Sequence, residues 1–476
     1  MKSKILVISD LHIGSGRLDD CDGELERCLI EFLLECSSED GPVELVINGD
    51  FLDFVQAEPW EGTDFETEYE GVPLCFTQEQ SAQKFKSIVA AHGLIFKALG
   101  NFLSIHAENS LVVLPGNHDA DFFWPEVRRL FQEAVGEERA DLKGRIHFKL
   151  EQCYRPEARP EVWIEHGHQY DPNNRFFIET DEIDPVVGTK VEKPVWSEER
   201  PPIFKDRAGR ERLYQCIGTR FLIQFMNRLD SEYPFVDNVK PFSRFLRIFG
   251  ASTFNPRYKL LTPAANVWRM LRYLVKEGVN SPGSLLSLDQ PAAGFGPSAL
   301  LKAMVDAMTE AELVWFVGEL EARGFSFKNK HPKMFLDSDP SNAESLMTFL
   351  SENPDVVQRL EEVKIPLLGF APGTLSMGQA FFVDETEKLR EAAQKVLNKE
   401  GVAYAVMGHT HEPVEGQRYI NTGCWTRYYR FGGDENMRSW DVLKENSYEL
   451  FPYELRYAEI APGQPPRAIV FRERKS

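Results

Sequence analysis

The sequence predicts an α/β protein interrupted by a large, mostly helical insertion, and three observations lead to this prediction. Short apolar runs alternate with stretches of helical periodicity in the first third of the chain. Several apolar runs end abruptly on Asp, Asn or His, as strands do when a site lies beyond the carboxyl ends of a sheet. The alternation stops after Asp171 and resumes near Asp384. We therefore expect a core in two parts, residues 1–171 and 384–476, with residues 172–383 inserted between them.

Composition and charge restrict the class of protein. Of the 476 residues, 42% are hydrophobic and 27% are charged, which is typical of a soluble globular protein. The formal net charge of −20 disfavours a protein whose whole surface follows nucleic acid. The seven Cys are scattered without a C-x-x-C pair, which predicts reduced thiols and a cytoplasmic location. The first apolar run is too short for a signal peptide, and no stretch is expected to span a membrane.

The first two predicted strands end on carboxylates. Residues 4–9 form a short apolar run that ends on Asp10 and His12, which predicts a buried first strand. Apolar residues at helical spacing over residues 24–35 predict a helix that crosses back over the sheet. Residues 43–48 predict the next strand, and it ends on Asp50.

The third strand carries the most informative turn. A helix predicted over residues 78–106 is followed by the apolar run 111–114, which breaks into Gly116-Asn117-His118-Asp119. An Asn beside a His adds little to an apolar core. Its amide oxygen can bind a hard cation, and the imidazole can do acid/base work. A turn whose Asn and Asp bond their own backbone is the alternative.

Two further strands end on histidines. Residues 162–165 predict a strand that ends on His166, and residues 402–407 predict one that ends on His409 and His411. A single D-x-H or H-x-H is weak evidence, because alternate residues of an extended segment face the same side. Six of the ten His lie in these strand-end segments. The five segments together therefore argue against coincidence.

These five segments resemble the motifs of the calcineurin-like metallophosphoesterases. The matching motifs are Asp10-x-His12, Gly49-Asp50, Gly116-Asn117-His118-Asp119, His166-Gly167 and Gly408-His409-Thr410-His411. The resemblance covers about residues 1–171 and 384–430, and no motif is broken. It implies a four-layer α-β-β-α sandwich with two divalent metal ions at the strand ends.

The resemblance also implies a role for each motif residue. Asp10, His12 and His411 would hold one metal, Asn117, His166 and His409 would hold the other, and Asp50 would bridge them. Ligands without thiolate suit Mn²⁺ first, with Fe or Zn²⁺ as alternatives. Two such metals can hold a hydroxide in line with phosphorus. This predicts hydrolysis of a phosphodiester or pyrophosphate in preference to a monoester.

Four residues beside the ligands, His118, Asp119, His168 and Asp53, are compatible with supporting or catalytic roles. His118 directly follows Asn117, and we expect it to protonate the leaving oxygen, with Asp119 orienting its ring. A turn-stabilising role for Asp119 is equally compatible with the sequence. His168 could line the pocket or support a ligand from outside. Asp53 is more typical of a supporting or capping residue than of a ligand.

The insertion carries a basic segment, which we define as residues 205–277. It contains fourteen basic and six acidic residues, a net charge of +8, interleaved with large apolar residues. Three interpretations remain open: a helical cap with a solvated Arg face, a patch for an anionic substrate or membrane surface, and a nucleic-acid groove. Because the insertion leaves after His166 and returns before His409, we expect it to overhang the site as a lid that selects the substrate.

The resemblance leaves more than one function open. The nucleotide-linked lipid hydrolases of the family have a helical cap, but they typically place Arg where His118 stands. The double-strand-break processing nucleases have the same Gly-Asn-His-Asp segment, so a DNA nuclease is the alternative. A metal-free scaffold is disfavoured because no ligand is missing. We expect a cytoplasmic, metal-dependent phosphoesterase, with peripheral membrane attachment as an option.

Overall fold

The structure is a computed structural model of the 476-residue chain, and it describes only part of that chain. The described residues are 4–16, 19–37, 41–57, 76–171, 174–183, 190–206, 209–216, 218, 219, 222, 238–240, 310–339, 341, 342, 345, 346, 348, 349, 353, 385–430 and 445–475. The chain forms two compact units. The first comprises residues 1–223, 385–429 and 445–476, and the second comprises residues 224–384 and 430–444. All the predicted site residues lie in the first unit.

The described helices and strands follow in chain order. Those before residue 223 are β1 (Lys4–Ile8), α1 (Gly23–Ser37), β2 (Val43–Asn48), α2 (Gln78–Ile105), β3 (Ser110–Leu114), α3 (Pro125–Gly136), α4 (Ala140–Lys143), β4 (Ile146–Phe148), β5 (Val162–Ile164), β6 (Phe177–Ile183), β7 (Lys190–Pro194), β8 (Ile203–Lys205) and β9 (Glu211–Leu213). The remainder are β10 (Val239–Lys240), α5 (Glu310–Ala322), α6 (Pro332–Ser338), α7 (Glu385–Leu397), β11 (Tyr404–Met407), β12 (Val414–Glu415), β13 (Tyr419–Asn421), β14 (Tyr429–Arg430), β15 (Tyr453–Ile460) and β16 (Arg467–Arg474). Short 3₁₀ turns cover Ala120–Phe123, His168–Tyr170 and Glu445–Leu450.

Local chemistry accounts for the two long helices of the first unit. In α1, the Asp22 carboxylate accepts hydrogen bonds from the first backbone N–H groups of the helix, so it caps the N-terminus. In α2, Thr77 and Gln80 form a reciprocal capping box. Helix α2 is kinked at His92, and by length and composition it could cross a membrane, contrary to the expectation from the sequence. Half of its most apolar window is buried inside the protein, as in the core helix of a soluble domain.

Two sheets carry the predicted site. The larger sheet has the order β16-β15-β1-β2-β3-β4, and its strands β1 to β4 are mutually parallel. The smaller sheet has the order β12-β13-β11-β5, in which β5, β11 and β13 are parallel. Parallel strands place their carboxyl ends at one edge of the sheet, so the residues that follow β1, β2 and β3, and those that follow β5 and β11, are grouped.

Side-chain alternation along β1 shows how the layers stack. Leu6 and Ile8 belong to the core that the larger sheet shares with α1, α2 and α3. Ile5 and Val7 face the opposite way and pack with Val406 and other residues of the smaller sheet. Successive side chains of a strand point to opposite faces, so the larger sheet is covered by helices on one face and by the smaller sheet on the other.

Helix α7 supplies the fourth layer. Leu389 and Val396 of this helix pack on Ala405 and Met407 of β11, on the face of the smaller sheet away from the larger one. The order of layers is therefore helices, six-stranded sheet, four-stranded sheet, helix. This confirms the predicted α-β-β-α sandwich.

The segment after Asp171 differs from the prediction. The sequence places a mostly helical insertion from residue 172 onward, but the described residues form two antiparallel hairpins, β6–β7 and β8–β9, within the first unit. Leu213 is buried, and its backbone N–H donates to Phe76 O at 2.7 Å, which fastens β9 to the core. Short strands in a Pro-rich segment give no sustained period, so the sequence pattern did not show them.

The second unit is described only in part. Helical periodicity in the sequence predicts a helix over about residues 310–322, and α5 coincides with it; α6 follows. The chain re-enters the first unit at residue 385, one residue after the predicted start of the second core segment. The same periodicity predicts helices near residues 217–229, 262–274 and 297–308. Apart from residues 218, 219 and 222, these helices lie outside the described residues, as does most of the basic segment. The helical insertion is compatible with α5 and α6.

Candidate metal centre

The strand ends of the two sheets bring most of the predicted ligands together in two groups. Within each group, one potential ligand atom per residue lies within 4.8 Å of all the others. The first group is Asp10, His12, Asp50 and His411. The second is Asp50, His166 and His409. Asp50 belongs to both groups, so its carboxylate lies close to the ligand-type atoms of each.

Distances in the first group fit a common cation. The Nε2 atoms of His12 and His411 are 3.0 Å apart, and His411 Nε2 is 3.3 Å from Asp10 Oδ1. Two nitrogen ligands at right angles on a metal ~2.1 Å away would be separated by about 3.0 Å. Asp50 Oδ2 lies 3.9 Å from His12 Nε2, across the group. The four residues could thus share one ion.

Unpartnered polar atoms mark the second group. His166 Nε2 is 3.1 Å from Asp50 Oδ2 but is not hydrogen-bonded, and His409 Nδ1 is buried without a hydrogen-bond partner. Asn117 Oδ1 is also buried without such a partner. A buried polar atom left unpaired costs about 1–3 kcal/mol. A bound cation would satisfy the two imidazole nitrogens of this group, so the donor set fits a divalent metal here.

Outer hydrogen bonds fix the protonation of two imidazoles. His166 Nδ1 lies 2.9 Å from the backbone carbonyl of Asn48, and His12 Nδ1 lies 3.3 Å from Asp53 Oδ2. A carbonyl and an ionised carboxylate can only accept, so each Nδ1 carries the proton. Each Nε2 then keeps its lone pair for a metal, as second-shell partners commonly arrange.

The backbone is strained where the ligands leave the strands. Among the described residues, eight other than Gly have positive φ, and five of these belong to the two groups. The five are Asp10, His12, Asp50, His409 and His411, with φ between 48° and 71°. Such conformations cost of order 1–3 kcal/mol each and persist where the surroundings impose them. The strand ends therefore hold these side chains in an energetically costly arrangement.

Two glycines are required by close approach. Gly49 has a φ of +84°, and a Cβ there would overlap the ring of His166. A Cβ on Gly116 would overlap the Asp50 carboxylate. The absence of a side chain at Gly49 and Gly116 thus allows a ligand from another strand end to pack against the backbone.

His118 is positioned by Asp53 and by Asp50. Its Nδ1 lies 3.0 Å from Asp53 Oδ2, and its backbone N–H donates to Asp50 Oδ1 at 2.8 Å. Asp53 thereby contacts both His118 and His12. The prediction that Asp119 orients the His118 ring is wrong, because Asp53 takes that place. The sequence feature that pointed to this contact was the position of Asp53, three residues after Asp50 in Gly49-Asp50-Phe51-Leu52-Asp53.

Asp119 instead organises the backbone under the site. Its buried carboxylate accepts from the N–H groups of Gly116 at 2.6 Å, Phe51 at 2.8 Å, and Asp50 and Leu52 at 3.3 Å each. These bonds tie the loop after β3 to the loop after β2. The turn-stabilising alternative from the sequence is the one that the structure shows.

Charge within the cluster shifts its pKa values strongly. Burial alone would raise the pKa of Asp50, but the charges of His166, His118 and His12 outweigh it and hold the pKa well below the usual range. Burial opposes protonation of His118, yet Asp53 and Asp50 raise its pKa to about 10. Asp50 and Asp10 likewise raise the pKa of His166 to about 9 against burial. Without metal, the cluster holds protons where cations would bind.

His168 lies beside the cluster but in neither group. It is buried, both ring nitrogens lack a hydrogen-bond partner, and its ring packs on Trp196 at 4.3 Å between centroids. Burial and the charges of His166 and His409 lower its pKa well below the usual value. The neutral ring therefore forms part of the apolar wall beside His166.

The contact between His166 Nδ1 and the Asn48 backbone carbonyl could not be predicted from the sequence, because a main-chain acceptor leaves no side-chain pattern.

Comparison with known proteins gives one match. The family model described as calcineurin-like phosphoesterase matches residues 3–214, which include Asp10, His12, Asp50, Asn117, His118 and His166. The matched range ends before His409 and His411. No curated protein and no solved structure shows significant similarity to the chain.

Proposed function

Since this chain belongs to the calcineurin-like phosphoesterase family through residues 3–214, we propose that it hydrolyses a phosphodiester or pyrophosphate with two divalent cations. One observation carries the proposal. Two groups of ligand-type side chains, contributed by both sheets, share the single carboxylate of Asp50. A shared carboxylate is the arrangement that a two-metal site requires.

We assign the ligands from these groups and add Asn117, whose side-chain oxygen is buried without a hydrogen-bond partner. One cation would be held by Asp10, His12 and His411, the other by Asn117, His166 and His409, and Asp50 would bridge them. Oxygen and imidazole ligands without thiolate favour Mn²⁺, with Fe or Zn²⁺ as alternatives. When bound, the cations would neutralise phosphate oxygens and activate the attacking water.

The leaving-group role is proposed for His118. Asp53 holds its Nδ1, so Nε2 is the nitrogen left to face a substrate. With 14% of its side chain exposed, the ring is more open than His12 or His166. Its raised pKa keeps a proton available at neutral pH, and a nearby cation would lower that pKa toward the working range. His118 can therefore donate a proton to a leaving alkoxide.

The charge of the site supports a diester or pyrophosphate over a monoester. Among the described residues, the strongest favourable charges acting on Asp50 come from His166, His118 and His12 rather than from Arg or Lys. Binding a terminal, doubly charged phosphate would gain most from additional cationic side chains. A diester carries less charge at phosphorus, so two cations and His118 suffice for it.

We also propose a partner and a location. The +8 charge of the basic segment supports contact with an anionic substrate, an anionic membrane surface or nucleic acid. A cytoplasmic protein, peripheral to the membrane, is consistent with described cysteines that form no disulfide bond with one another.

A substrate panel with added Mn²⁺ tests the proposal. It should include nucleotides, an aryl phosphodiester, an aryl phosphomonoester, phospholipids, nucleotide-linked lipids and DNA ends, each with wild type and Asp50→Asn. We expect turnover of the diester or of a pyrophosphate by wild type alone. Cleavage confined to DNA ends would establish the nuclease alternative. Turnover that Asp50→Asn retains would contradict the two-cation function.

A further inference from the structure

The two ring nitrogens of His409 lie in different surroundings. Nε2 is 3.2 Å from Asp171 Oδ2, whereas Nδ1 is buried without a hydrogen-bond partner. An ionised carboxylate only accepts, so the proton of a neutral ring belongs on Nε2. The lone pair then remains on Nδ1, the nitrogen that has no other partner.

Asp171 reaches His409 through a short turn that follows β5. Gly167 has a φ of +111°, and a 3₁₀ turn over His168–Tyr170 brings the chain back, with the Asp171 N–H donating to His168 O at 3.1 Å. Strands β5 and β11 are parallel neighbours. The turn after β5 and the residue after β11 therefore meet at the same sheet edge.

The Asp171 carboxylate is held in place. Only 5% of the residue is exposed, and the same Oδ2 also accepts from Asn174 Nδ2 at 2.5 Å. A buried carboxylate is costly unless donors satisfy it, so its orientation toward His409 is tightly constrained. An exposed carboxylate would not specify a tautomer in this way.

We infer that Asp171 is the positioning residue for the second cation, because it fixes His409 with Nδ1 unprotonated and directed to metal binding. This inference rests on the proposed two-cation function and adds a residue that the sequence motifs do not contain. The other two outer contacts have the same chemistry: Asn48 O supports His166, and Asp53 supports His12. A carboxylate partner also makes its imidazole a stronger ligand than a neutral acceptor does.

Mn²⁺ binding to the metal-free full chain tests the inference. The variants are Asp171→Ala, which removes the acceptor, and Asp171→Asn, whose amide oxygen can still accept from His409 Nε2. Isothermal titration gives the stoichiometry and both affinities, and electron paramagnetic resonance distinguishes a coupled Mn²⁺ pair from an isolated ion. Asp141→Ala is the matched control, because Asp141 is an exposed carboxylate paired with Arg139.

We expect two Mn²⁺ per chain for wild type and Asp141→Ala, with a coupled-pair spectrum. Asp171→Ala should bind one ion normally and the other about 10–100-fold more weakly, with an isolated-ion spectrum at limiting Mn²⁺. Asp171→Asn should recover most of the second affinity. Without metal, the Asp171→Ala chain should still unfold in one cooperative transition, with its melting temperature lowered by at most a few degrees because two buried hydrogen bonds are lost.

Three outcomes would overturn the inference. Two ions bound to Asp171→Ala with wild-type affinities would remove the positioning role while leaving the proposed function intact. Loss of both ions, or loss of the cooperative unfolding transition without metal, would show that Asp171 supports the fold instead. Wild type that fails to bind two ions would reject the two-cation function itself, and with it this inference.

Discussion

The two sheets contribute different chemistry to the candidate centre. The ends of the six-stranded sheet supply every oxygen ligand we propose, from Asp10, Asp50 and Asn117, together with the imidazole of His12. The ends of the four-stranded sheet supply imidazoles alone. These are His166, His409 and His411.

This division indicates that the sheets do different work. Carboxylates attract divalent cations by charge, whereas neutral imidazoles add directional ligands whose protons must be kept elsewhere. Each proposed cation takes ligands from both sheets, so neither sheet forms a site alone. Cation binding should therefore depend on the packing of the two sheets.

The largest effect is expected at the shared carboxylate. Asp50→Asn should abolish loading of both cations and reduce turnover by more than about 10³-fold, because the amide has no charge with which to bridge them. His411→Ala, on the imidazole sheet, should lose one cation only. Elemental analysis after gel filtration measures both. Asp50→Asn chains that retain two metals would disprove the bridge.

The next effect concerns His118. His118→Ala should reduce turnover by about 10²–10⁴-fold for diesters with poor leaving groups, and much less for activated aryl diesters, because only the former need a proton. Metal content should stay at the wild-type value. A series of diesters that differ in leaving-group pKa measures this. Equal losses across the series would eliminate the general-acid role.

A smaller change is expected in the pH dependence. The charge of Asp53 raises the pKa of His118 against burial, so Asp53→Asn should lower it. The protonated ring is the active form, and activity is lost as pH rises through its pKa. The alkaline limb of the kcat profile should therefore move down by about one pH unit or more in Asp53→Asn. An unchanged alkaline limb would mean that a group other than His118 controls it.

The smallest effect is on stability. Cations that take ligands from both sheets bind the folded chain only, so each site should stabilise it by about 2.7 kcal/mol when Mn²⁺ is at 100 times the Kd of that site. The measurement is the melting temperature with Mn²⁺ and with chelator. Asp50→Asn should show no such difference. A Mn²⁺-induced rise that persists in Asp50→Asn would mean that the ions act elsewhere.

Much of the core could be predicted from the sequence for a local reason. Helical periodicity over about residues 24–35, 78–106, 126–135 and 384–399 predicts α1, α2, α3 and α7 to within a few residues, and apolar runs predict β1, β2, β3, β5 and β11. Periodicity and strand-end polarity are properties of neighbouring residues, so they survive in a linear pattern. The hairpins β6–β7 and β8–β9 were missed because strands of three to seven residues, interrupted by Pro, leave no period to detect.

What the sequence alone determined was which kinds of side chain leave the strands: carboxylates, an amide and imidazoles after β1, β2 and β3, and imidazoles after β5 and β11. What only the tertiary structure decided was which atoms meet. His12 and His411 are 399 residues apart in the chain but 3.0 Å apart in space. Asp53 rather than the adjacent Asp119 holds the His118 ring, and Asp171 lies against His409. Such contacts depend on how two sheets stack, and that stacking joins residues whose separation no local pattern records.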